Sequence, residues 1–290
     1  MAGATDFTAT NVLSYITGQI AMPALPSVWI GLFTTAPTSD SGVTGATEVS
    51  GTGYARVQVA GSLAAASATG TTITFSSLPA WVTQGMSVRD ITTPANVPAA
   101  TTISSIAGNV VTCNNTVSSV GTNTIDFSAF TPPTNSSGSE PAVTAAFAQN
   151  NAIITFAQAG AGGWSTVVAF GLFDAVTGGN LLAWDWLGNF KWFPFTITAA
   201  APGVITMTTA DAYANATTVV MTGKLGGTFP TVAANFAGVQ TTAGLSGATF
   251  NVGVTATAAG EGMIRQILQQ SIPVNVTASF AQNTLVISNA

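Results

Sequence analysis

Apolar and polar positions follow one another in short runs along this chain, separated by clusters of Gly, Thr, Ser and Asn. Ser27–Phe33 and Tyr54–Val59 are the clearest of these runs. In the first, Val28, Ile30 and Leu32 fall on one face and Trp29 and Phe33 on the other, the pattern of a strand buried on both sides. Helical spacing is limited to Thr8–Gly18, where Leu13, Ile16 and Ile20 recur along one stripe. Thr8 or Thr10 is placed to cap its start and Gly18 to stop it. Met22-Pro23 and Leu25-Pro26 break any continuation. The rest reads as strands, which predicts an all-β fold: a sandwich or jelly-roll-like core with one N-terminal helix.

Texture divides the strands into groups. Gly61–Gly70 is an Ala/Ser/Gly spacer. It leads into short strands at Thr71–Phe75, Met86–Val88, Thr101–Ile106, Asn109–Cys113 and Thr122–Phe127, with a turn at Ala107-Gly108-Asn109. Thr131–Glu140 has the composition of a linker. The first texture returns in Ala152–Phe156, Trp164–Phe173 and Leu181–Trp186. A Thr-, Ala- and Gly-rich stretch follows, with strands near Val204–Thr208, Thr217–Thr222, Ala234–Gln240 and Ala248–Val254. Ile272–Phe280 and Asn283–Ser288 read as a closing hairpin. These textures predict a discontinuous core (1–61, 142–202 and 263–290) carrying two inserted β-modules, 62–141 and 203–262.

Three separated blocks, Met1–Gly61, Asn151–Phe193 and the closing Ile272–Ala290, carry one resemblance. Val28–Pro37 reads VWIGLFTTAP and Thr47–Val57 reads TEVSGTGYARV; Asn151–Phe156 reads NAIITF, and Trp164–Leu182 carries FGLFDA followed by GGNLL. This resembles a small all-β virion protein family of tailed phages and prophages, of the tail-fibre or minor structural type. The first module, with Gly85-Met86-Ser87-Val88, Pro98–Ile103 and Ile106–Thr112, is similar to small β-modules of phage tail and bacterial surface proteins. The resemblance implies a virion structural protein, first of all a tail fibre or tail-associated appendage. Alternatives are a head decoration or collar protein, or a carbohydrate-binding module or depolymerase acting on host surface glycan. The implied partners are other virion proteins, further copies of the chain and, on the last reading, host glycan.

Composition narrows the function. Charged residues make up 5% of the 290, against about 25% in ordinary soluble domains. Such a surface has little repulsion to hold copies apart. The five basic residues, Arg56, Arg89, Lys191, Lys224 and Arg265, are scattered, so no patch forms to neutralise phosphates and nucleic acid is not an expected partner. There is no His and one Cys, Cys113, which reads as a small buried hydrophobe; no metal or cofactor is expected. No run is long enough to span a membrane and the N-terminus lacks signal-peptide character, so a virion location after assembly in host cytoplasm is expected.

Little chemistry is available. Glycoside hydrolysis needs two carboxyl groups across one bond, and Asp174 and Asp185 are the best pair. The plainer reading places Asp174 at a turn and Asp185 facing solvent between two tryptophans, so no catalytic residues are assigned. Trp184, Trp186, Phe190, Trp192, Phe193 and Phe195 form an aromatic cluster, read as core or partner interface, with sugar stacking as the other use. Lys191 lies inside that cluster. Gly51-Thr52-Gly53 precedes a strand and not a helix, so it lacks the dipole of a phosphate loop. Glu48 and Arg56 are spaced to pair across the turn, as a surface ion pair of little worth.

Overall fold

The computed structural model describes residues 3–20, 27–38, 42–131, 134–135, 146–188, 192–207, 213–223 and 239–289. Met22-Pro23, Leu25-Pro26, most of the Thr131–Glu140 linker, most of the Ala234–Gln240 strand, Phe190, Lys191 and Lys224 lie outside them. Among the described residues the chain is all-β with one α-helix, and two sheets hold most of the strands.

The larger sheet has eleven strands. Val28–Thr35 lies between Ala169–Phe173 and Val57–Thr69, antiparallel to both. It is covered on both faces: Ile30 and Leu32 join one apolar cluster and Phe33 another. Its pairing with Ala169–Phe173 sets Gly31 opposite Gly171. A Cβ on Gly31 would meet Glu48 Oε1 at 2.8 Å and the Phe173 ring at 3.0 Å, and one on Gly171 would meet Leu181 and Phe33 at 2.6 and 2.7 Å. The facing glycines leave the room into which those rings and that carboxylate pack.

The spacer reading of Gly61–Gly70 is corrected: Val57–Thr69 is one strand of 13 residues. Small residues permit this because neighbours fill the space above them; Trp81 lies where a Cβ on Gly61 would project. The strand changes partners along its length. It pairs in turn with Val28–Thr35, Thr124–Ser128 and Thr72–Phe75. The boundary drawn after residue 61 therefore falls inside a strand. Ile73, Phe75, Val88 and Phe127 share one apolar cluster with Ile30, Val59, Phe156 and Trp164. Cys113 is buried in this cluster, and burial pushes its thiol up to about 11.

The third block pairs with the second, but not as a hairpin. Thr277–Phe280 lies on Ile154–Gln158 and Val286–Asn289 on Ala146–Gln149. Fully buried Asn150 fixes this arrangement. Its Oδ1 accepts from Leu285 N–H at 2.7 Å, and its Nδ2 donates to the Ala281 carbonyl at 2.8 Å. The segment between the two strands makes a turn, with Thr284 N–H donating to the Ala281 carbonyl at 3.2 Å, but the strands it joins pair with Ile154–Gln158 and Ala146–Gln149 and not with each other.

The smaller, seven-stranded sheet takes in Phe193–Ile197, Ile205–Met207, Thr218–Gly223, Val239–Thr241, Ala243–Ser246, Thr249–Asn251 and Gly260–Gln266. It begins before and ends after the 203–262 stretch that texture singled out. Phe195, Ile205, Val219, Phe250 and Ile264 form its core. Arg265 ties it to the larger sheet: its guanidinium meets both carboxylate oxygens of Asp185, at 2.5 and 3.3 Å, and donates to the Trp186 carbonyl at 3.2 Å. Asp185 is buried, not solvent-facing, which corrects the sequence reading. Burial raises its carboxyl pKa against the opposing pull of Arg265.

The helix runs Asp6–Ile16, and Thr5, not Thr8 or Thr10, stands at its N-cap position. The Thr5 hydroxyl donates to the carbonyls of Leu181 and Leu182 instead of accepting from the helix. No helix residue is buried.

Two measurements follow from these buried groups. Cys113 in native protein is expected to stay unmodified by an aromatic disulfide reagent below about pH 9, because the raised pKa leaves almost no thiolate; prompt labelling without unfolding would contradict this. Removing one partner of the junction pair, as in Asp185→Asn or Arg265→Met, should cost about 3–5 kcal/mol in denaturant unfolding, while Asp185→Leu with Arg265→Met together should cost less than either. A double variant as damaged as the sum of the singles would show that the pair is not one buried unit.

Candidate functional site

The two longest stretches of resemblance meet at Arg56. The segment 49–56 leaves the first strand pair as a loop, and Gly51 and Gly53 bring its backbone against the 158–164 loop. A Cβ on Gly51 would stand 2.5 Å from the Gly163 carbonyl, and one on Gly53, at φ +82°, 2.6 Å from that of Gln158. The Thr52 carbonyl accepts from Gly160 N–H at 2.7 Å and from the Trp164 indole at 3.1 Å. These glycines serve close backbone packing, in keeping with the rejection of a phosphate loop.

The loop delivers Tyr54 and Arg56 to Glu48. Arg56 Nε and Nη2 donate to the two Glu48 oxygens at 2.8 and 2.7 Å. Nη1 donates to the carbonyls of Ala175 and Gly178 at 2.9 and 2.7 Å. The guanidinium also lies 3.3 Å from the centre of the Phe173 ring. The Tyr54 hydroxyl donates to Glu48 at 2.9 Å and accepts from Leu32 N–H at 2.8 Å; burial raises its pKa well above the usual phenol value. The Arg56 side chain is 7% exposed and that of Glu48 27%, so this is a part-buried, bidentate pair and not the surface pair the spacing suggested. Beside it, Asp174 closes the 174–180 turn: its carboxylate accepts from the Asn180 amide and side chain at 2.6 and 2.7 Å.

Asp174 and Asp185 do not face one substrate. Asp185 pairs with Phe170 in the ladder and Asp174 follows Phe173. They are separated by four residues, roughly 13 Å of strand, beyond the reach of a two-carboxylate glycosidase. Asp174 holds a turn, and both oxygens of Asp185 are engaged by Arg265. Among the described residues no three His, Cys, Asp or Glu side chains gather as metal ligands.

The aromatic residues divide between the two sheets. Trp184 is buried with Phe33 and Phe173, and Phe195 is buried in the core of the smaller sheet. Trp186 is half-buried edge-on to Trp184, with ring centres 5.8 Å apart. Trp192 lies under the Arg265 guanidinium at 5.1 Å, and Phe193 meets Tyr213 edge-on at 6.4 Å. The five described members therefore do not present one flat aromatic face; Phe190 is outside the described residues.

A half-open cavity of about 410 Å³ lies between the larger sheet and the C-terminal strands. Leu32, Phe156, Phe170, Phe280 and Leu285 make its walls apolar, and Asp185 is the ionisable group lining it. Leu268 and Val276 stand exposed at its margin. The sequence reading did not find this cavity, because its walls come from strands far apart in the chain. Arg265 was also missed as a site residue; its one signal was a lone charge inside the apolar run Met263–Ile267.

Arg56→Lys keeps the charge but loses the fork, and is expected to lower stability by about 3 kcal/mol. Amide exchange across Ala175–Asn180 should quicken at the same time, because that turn loses its donor. An unchanged unfolding midpoint, or an unchanged turn, would show that Arg56 does not hold it.

A family model described as Podophage GP4 fiber I protein gp80 matches residues 3–132 and 94–194. No curated protein matches the chain. The matched stretch contains the whole Arg56 network and all eleven strands of the larger sheet, and stops where the smaller sheet begins. Since the two overlapping matches together run over about two thirds of the 290 residues, the chain belongs to this podophage fibre protein family.

Proposed function

We propose that the chain is a tail fibre or tail-associated appendage subunit, held in the particle by other virion proteins and by copies of itself. The family match across residues 3–194 is the observation that carries this reading. The chemistry supports a structural role without catalysis. The Arg56 and Arg265 pairs and the Asp174 turn engage the ionisable groups at the points where sheets and loops join. A chain with 5% charged residues also suits contacts made by apolar burial and backbone pairing. A head decoration or collar position gains no comparable support. Glycan binding through the aromatic cluster is disfavoured, because Trp184 and Phe195 are core residues.

Gold-labelled antibody against the chain, imaged on purified particles, tests the assignment. Label on the tail or its appendages is expected. Label confined to the head would replace it with the decoration reading, and unlabelled particles in which mass spectrometry also finds no chain would remove it from the virion.

A further inference from the structure

The N-terminal helix is turned inside out. Ala9, Val12, Leu13 and Ile16 stand at i, i+3, i+4 and i+7, the spacing of one apolar stripe. That stripe faces solvent: Val12 is 49% exposed, Leu13 62% and Ile16 70%. The half-buried positions are Thr8, Asn11 and Ser14, on the opposite side, and Thr8 donates to the Leu182 carbonyl at 2.7 Å. The chain thus packs the polar side of its helix and leaves the apolar side out. A helix of 11 residues is too short to hold itself in water, where about 12–15 are marginal. It is held here through Thr5 and Thr8 at Leu181–Leu182, and those contacts leave its apolar stripe uncovered.

The same chain carries a receptor of matching chemistry. The cavity beside Asp185 has apolar walls, an exposed apolar margin at Leu268 and Val276, and a carboxylate already neutralised by Arg265. From Phe7 to Ile20 the helix segment has no Asp, Glu, Lys or Arg. Neither surface would bury an unpaired charge on the other. The two lie toward opposite ends of one strand, since the helix hangs from Leu181–Leu182 and the cavity takes in Asp185–Gly188. We infer that the helix Asp6–Ile16 of one copy seats Val12, Leu13 and Ile16 in this cavity of a second copy, giving a head-to-tail contact in the manner of helix-in-groove recognition. One short helix buries less than the roughly 1,200 Å² of a lasting interface. A head-to-tail contact of that size persists when it repeats, each copy giving a helix and receiving one, so that the assembly closes.

This inference rests on the reading of the chain as an assembling virion subunit, and its test is kept separate from that reading. Sedimentation of the full chain over a range of concentrations is expected to show concentration-dependent oligomers that persist to about 1 M salt, because no exposed ion pair holds them. Leu13→Gln with Ile16→Gln leaves helix propensity intact and removes the anchors. Leu268→Glu with Val276→Glu places charge at exposed positions on the margin. Each pair should weaken association about tenfold or more, with circular dichroism unchanged. Mixed together, the two variants share one contact that cannot repeat, so they should form a weak one-to-one pair, seen at high concentration, and nothing larger, since one retains the cavity and the other the helix. A wild-type chain that stays monomeric overturns the contact, as does a cavity variant that still oligomerises or a mixture that stays apart. Incorporation into particles, followed by mass spectrometry, distinguishes the failures. A monomeric chain that still joins the particle overturns only the contact, whereas an oligomer absent from particles overturns only the virion assignment.

Discussion

A guanidinium group removed from water must have its donors met, and in this chain that requirement organises the larger sheet. Arg56 can be buried only if Glu48 returns along the edge of Val28–Thr35 and the 174–180 turn brings its carbonyls within reach. Glu48 fits only because residue 31 has no side chain. Phe173 lies flat beneath the guanidinium because Gly171 leaves space for the rings beside it. Tyr54 completes the set by joining Glu48 to the backbone of the central strand. Segments more than a hundred residues apart are thereby positioned by one cation.

Arg265 plays a similar part at the junction with the smaller sheet, with fewer partners. Its Nε is buried without a hydrogen bond, and Trp192 covers the guanidinium from one side. Arg56 reaches one carboxylate and two carbonyls, whereas Arg265 has one carboxylate and one carbonyl. The family match covers all of the first, whereas of the second it takes in Asp185, Trp186 and Trp192 but not Arg265 itself.

The sequence made the all-β class legible because the strand alternation is local. It also showed that Val28–Phe33 is covered on both faces, since apolar residues occupy both parities. The Gly-x-Gly-Tyr-Ala-Arg run and the GGN turn were visible as motifs. That they touch was not, because their contact is made through backbone carbonyls that carry no residue identity. Gly61–Gly70 was misread because small residues mark a strand only when large neighbours such as Trp81 cover them. Asp185 was assigned to solvent because strand alternation gives a face but not what packs on it. The helix pattern was recognised but its direction was not, since a 3.6 period does not say which side meets the protein.

Strand Val57–Thr69 has a consequence for how such a chain can vary by descent. Val59, Gly61 and Ala65 are buried on one side of it, while successive stretches answer to three different partner strands. Losing or gaining one codon within it would reverse the facing of every later position and put Ser62 or Ala64 where a buried residue stands. Length changes are therefore confined to the loops around it. Sequence drift along the strand is held to residues small enough to pass beneath Trp81 and its neighbours.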